Sequence, residues 1–148
     1  MTTGSEMAAD LSTALPSLWT AIATVILLLG VVIWSGITGR RILHYTVVGA
    51  MLGTLYWAIK KAEIVGELLV FEGLSKTLLQ VHFVFVAADF ILIPLVAWSG
   101  IRLARAPENQ SGIARMRHGK VAKVLVVSLI TTCILGSAMT LLATPISP

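Results

Sequence analysis

Three stretches of this chain, Leu11 to Gly39, Ile42 to Ile59 and Val124 to Pro148, contain no Asp, Glu, Lys or Arg, and a fourth, Thr77 to Ile101, contains only Asp89. About 20 apolar residues at ~1.5 Å rise span the roughly 30 Å of bilayer hydrocarbon. A helix satisfies every backbone polar group within its own segment, so such runs cross lipid as helices. With 57% hydrophobic and 12% charged residues and a mean hydropathy of +0.92, the composition falls outside that of water-soluble domains. The expected fold is all-α, an integral membrane four-helix up-down bundle forming a single domain. Its helices are expected at about residues 16–38, 42–61, 76–101 and 119–143.

The first run is too long for a signal-peptide core, and the residues before it carry Glu6 and Asp10 but no base, so it is expected to stay in the mature protein. Pro16 suits a first helical turn, with Ser12 or Thr13 as caps. The lone Cys133 has no internal partner for a disulfide and reads as packing.

Basic residues set the orientation. Arg40 and Arg41 lie in the first connection; Arg102, Arg105, Arg115, Arg117, Lys120 and Lys123 in or beside the third. The positive-inside rule puts both connections in the cytoplasm and both termini outside. The segment Glu63 to Leu74 reads as a helix extension or an interfacial stretch, and Ala106 to Gly112 as a polar loop. The basic collar accounts for the pI near 9.6 and suits anionic lipid. Aromatic interleaving for nucleic acid is absent, so the expected partners are the bilayer and other membrane subunits.

Membrane helices associate where small residues let backbones approach. Gly49-x-x-x-Gly53, flanked by Thr46, Ala50, Thr54 and Ala58, is such a stripe on the second helix, and Ser128, Thr132, Gly136 and Thr140 make one on the fourth.

Asp89 stands midway between Lys76 and Arg102, at mid-membrane. A charge there costs at least ~2.5 to 3.5 kcal/mol and marks a polar contact, a partner or a pathway. His82 lies two turns away on the same face, too far for direct proton transfer, so water or another helix would have to bridge the two; Pro94 frees the carbonyl of Phe90. His82 and Asp89 are therefore candidates for a proton or polar site. Of the three histidines, His44 and His118 share a depth near the cytoplasmic surface, as two axial ligands of one haem must. If a haem b is bound, these two are its expected ligands. Gly100 shares a face with His82, and Gly136 with His118, leaving room for a macrocycle or a neighbouring helix.

The run Arg117-His118-Gly119-Lys120-Val121-Ala122-Lys123 with Gly136 resembles the last helix of an uncharacterised bacterial family of four-helix membrane proteins linked to haem-copper oxidase maturation. Val81-His82 with Pro94-Leu95-Val96 is similar to its penultimate helix, and Arg40-Arg41 with His44 to the entry of its second. A further histidine of that family has no counterpart here, where Lys60, Lys61 and Glu63 stand. The histidine-then-glycine helices also resemble b-type haem membrane cytochromes, which implies at most one haem in this chain. No metal motif, phosphate loop or nucleophile elbow occurs in the sequence, and paired inverted halves are absent. The expectation is a small non-catalytic accessory subunit or assembly component of a membrane redox complex in a bacterial inner membrane. A haem electron carrier and a proton pathway through the third helix are the alternatives.

Overall fold

The structure, a computed structural model, describes residues 4–146, with side chains from Asp10 onward; the last two residues of the uncharged run ending at Pro148 lie outside it. Helix accounts for most of it, with short connections and one two-residue strand pair. Helices α1 (Gly4–Ile37), α2 (Arg41–Glu67), α3 (Gly73–Arg105) and α4 (Ser111–Leu142) are each long and apolar enough to cross a membrane. Helices α1 and α2, with the strands β1 (Leu69–Val70) and β2 (Thr144–Pro145), form one compact unit, and α3 with α4 forms a second. The strands pair antiparallel, Leu69 opposite Pro145 and Val70 opposite Thr144.

Helices α2 and α3 overrun their apolar windows at both ends, and α1 and α4 overrun theirs at the N-terminal end. Charged side chains can reach past the hydrocarbon while the backbone stays helical, so the apolar run marks the bilayer span and not the helix end. Thus α2 continues through Lys60, Lys61 and Glu63 to Glu67, so the helix extension covers only the first part of Glu63 to Leu74, and Leu69–Val70 is strand β1. The polar connection after α3 is shorter than expected: Glu108–Gln110 closes into a 3₁₀ turn, and α4 starts at Ser111. Pro16 is a correction. It lies inside α1 and not in a first turn, and the helix carries it at the loss of one backbone bond. Thr20 donates its hydroxyl to the Pro16 carbonyl at 2.8 Å, while Thr13 bonds the carbonyl of Asp10.

In the first unit Ala21 and Val25 of α1 pack with Leu55 and Ala58 of α2. The turn between them needs a glycine. Gly39 has φ of +70° just past the end of α1, and the N–H of Arg40 reaches back to the Ser35 carbonyl at 3.0 Å. That bond closes the helix in the left-handed manner that a Cβ would strain. The start of α3 is closed differently, by the Glu72 N–H donating to Ser75 Oγ at 2.9 Å and the Ser75 hydroxyl returning to the Glu72 carbonyl at 2.8 Å. Ser75 is buried there.

Candidate functional site

Helix α3 is apolar, yet its two buried residues are polar: Ser75 in the capping turn, and Asp89 at 6% exposure. Asp89 is held by α4. The Thr132 hydroxyl donates to Asp89 Oδ2 at 2.7 Å and also lies 3.0 Å from the Ser128 carbonyl. The backbone carbonyl of the same Thr132 accepts from His82 Nδ1 at 3.1 Å. One α4 residue therefore bridges the two polar groups that share a face of α3, supplying the second helix that their separation requires. The bridge is no proton wire. A carbonyl accepts a hydrogen bond but has no proton to hand on, so the chain from His82 to Asp89 is broken at the Thr132 backbone. Two buried polar atoms at this level, Asp89 Oδ1 and Ser128 Oγ, have no hydrogen-bond partner among the described residues.

The histidines and glycines on α3 and α4 exchange partners. A Cβ built on Gly136 would stand 3.1 Å from His82 Cε1, and one on Gly100 would stand 3.4 Å from His118 Cε1. Each helix places its histidine and its glycine the same distance apart. In an antiparallel pair, the histidine of one then meets the glycine of the other at both ends. The gaps are filled by imidazoles.

His44 makes the equivalent contact in the first unit, where a Cβ on Gly36 would lie 3.4 Å from its Cε1. The likeness extends further. His44 Nδ1 is 3.1 Å from the Val32 carbonyl and 3.2 Å from Ser35 Oγ, and His118 Nδ1 is 2.8 Å from Ser99 Oγ. The Ser99 hydroxyl donates to Val96 and the Ser35 hydroxyl to Val32, so each serine oxygen faces its imidazole as an acceptor. A carbonyl only accepts, so the contacts of His44 and His82 place a donor proton on Nδ1, while His118 turns its Nδ1 toward Ser99. Beside each serine a tryptophan carries an arginine: Arg40 over Trp34 at 4.8 Å and Arg102 over Trp98 at 4.0 Å. Both hairpins thus use one cassette, Trp-Ser-Gly-Ile at 34–37 and again at 98–101, followed by an arginine and a histidine. This repeated tetrapeptide is the signal by which Ser35, Ser99 and Gly36 are recognisable from sequence as histidine partners. Thr132 has no such marker.

His44 and His118 accordingly occupy matching places in separate hairpins, each bound to its own serine. The stripe on α4 packs inward through Ser128, Thr132 and Gly136, whereas Thr46, Gly49, Ala50 and Gly53 on α2 are exposed. No three His, Cys, Asp or Glu side chains converge among the described residues. No protein-family model matches the chain, and neither the curated proteins nor the solved structures contain a match to it.

Proposed function

We propose that the chain is a small non-catalytic accessory subunit or assembly component of a larger membrane redox complex, set in a bacterial inner membrane as four spans with both ends outside. The observation that carries this reading is the α2 face. Nothing lies within 4 Å of the position a Cβ would take on Gly49 or Gly53, so this part of the stripe that suits close helix approach is not used against α1, the helix packed with α2. The redox assignment rests on the resemblance carried by His44, His82, Pro94 and the run from Arg117 to Lys123. Affinity-tagged protein drawn from native membranes in mild detergent tests it. The pair Gly49→Leu and Gly53→Leu should abolish co-purification of an oxidase-type partner while yield and helical content hold. Recovery of the same partner at the same level by the double variant removes the reading.

A second reading, a b-type haem carrier, rests on the resemblance to b-type haem membrane cytochromes, with the His44 and His118 rings each held within its own hairpin. An imidazole whose Nδ1–H is anchored to a carbonyl or hydroxyl presents Nε2 as a ligand in a fixed direction. His44 and His118 are the residues that would take the iron, and the group would supply electron transfer. Reduced, purified protein should then show a b-type absorption band that either His44→Ala or His118→Ala abolishes. A featureless spectrum from cells supplied with haem eliminates it.

A further inference from the structure

We propose that Asp89, Ser128 and Thr132 form a binding site for a small monovalent cation of the sodium class inside the α3–α4 hairpin. Asp89 and Ser128 are each 6% exposed, and each keeps one polar oxygen without a partner among the described residues. Ser128 and Thr132 stand one turn apart on α4, and Thr132 already touches Asp89. Three side chains thus offer carboxylate and hydroxyl oxygens within one helical turn of the Thr132–Asp89 contact.

The unpartnered atoms narrow the occupant. A buried carboxylate in an apolar medium needs its charge offset by a proton or a cation. A proton on Oδ1 would make that oxygen a donor in need of an acceptor, and neither Oδ1 nor Ser128 Oγ has a hydrogen-bond partner among the described residues. A cation needs lone pairs instead, and both atoms offer them. Oxygen-only donors suit a hard ion and not the soft or imidazole-preferring metals. One carboxylate balances one positive charge, whereas a divalent ion would leave an uncompensated charge in the membrane. The nearby ionisable side chains do not compete for the role: His82 is committed through Nδ1 to the Thr132 carbonyl, and Cys133 is a soft ligand.

The test uses the purified full chain in detergent, unfolded by heat in NaCl or in N-methylglucamine chloride at equal ionic strength. Sodium should raise the unfolding midpoint by about 3 °C or more, in proportion to the logarithm of its concentration once the site fills. Asp89→Asn keeps an acceptor for the Thr132 hydroxyl, so it should fold and lose the sodium response. Ser128→Ala should fold and need roughly tenfold more sodium for the same shift. Infrared difference spectra between the two salts should show a carboxylate signal that Asp89→Asn removes. Three results overturn the proposal: equal midpoints in both salts for the unaltered chain, a sodium response that survives in Asp89→Asn, or an infrared band of protonated Asp89 that is the same in both salts. The last identifies the proton as the occupant. None of these outcomes depends on a partner complex, so failure here leaves the accessory reading standing.

Discussion

The Asp89 carboxyl shows how a polar residue is tolerated where a charge would be costly. Its one interhelical hydrogen bond, from Thr132, is the type of contact worth about 0.6 kcal/mol on average and about 1.7 at most in a membrane protein. The Thr132 hydroxyl has a second acceptor in the Ser128 carbonyl, so breaking its bond to Asp89 strands no donor. Asp89→Asn should therefore unfold within about 0.5 kcal/mol of the unaltered chain in an experiment without added sodium, while Asp89→Leu loses about 0.6 to 1.7 kcal/mol. Thr132→Val is the complementary variant: it removes the hydroxyl but retains the carbonyl that holds His82. Equilibrium unfolding in mixed micelles reads all three. A loss above about 3 kcal/mol for the asparagine variant would mean that the charge itself supports the fold. The importance of Asp89 is legible in sequence because it interrupts a long uncharged run. Its partner is not, because four small residues of α4 share one face and only the rotation of that helix selects Thr132 for contact.

Between elements, the governing contact is a flat imidazole against a glycine. His82 rests on Gly136 and His118 on Gly100, and each ring is also hydrogen-bonded, so neither can swing aside without losing that bond. Overpacking a filled contact costs about 1 to 3 kcal/mol. Gly136→Leu should pay that penalty and Gly49→Leu should not, since the latter adds a side chain where nothing stands within 4 Å. Thermal unfolding of the two variants in one detergent compares them directly, and equal midpoints would contradict the assigned packing. Here sequence pattern and structure part in an instructive way. Small-residue spacing identifies both α2 and α4 as helices with a close-approach face, but spacing is blind to which face a neighbour covers. On α4 it is covered by α3, whereas on α2 Ala58 packs against α1 and Gly49 and Gly53 do not. The pairing of histidine with glycine is likewise readable along each helix, whereas the exchange across the pair arises from the antiparallel run of α3 against α4. The strand pair of Leu69–Val70 with Thr144–Pro145 has no periodicity to read, being only two residues deep on each side.

Across the whole chain, the repeated cassette bears on how it would enter a membrane. In both hairpins the order is the same: Trp-Ser-Gly-Ile at or within about a turn of the end of the first helix, an arginine stacked on the tryptophan, and a histidine in or near the first turns of the returning helix. Tryptophan prefers the headgroup level, and arginine the cytoplasmic side of it. Each copy agrees with the proposed orientation, in which the turn after Trp34 and the turn after Trp98 are cytoplasmic. Parallel repeats of this kind differ from the inverted halves of many transporters. The consequence is measurable in a Cys133→Ser background. Asp10→Cys should react with an impermeant thiol reagent added to intact cells, and Asn109→Cys, in the turn between the basic ends of α3 and α4, should react only after the membrane is opened. Arg40 and Arg102 are the residues to alter if the pattern is to be moved: replacing Arg40 and Arg41 together by Glu should weaken retention of the first turn inside and lower the yield of correctly oriented protein by several-fold. Labelling of Asn109→Cys from outside intact cells, with Asp10→Cys protected, would place both turns on the opposite side and overturn the orientation.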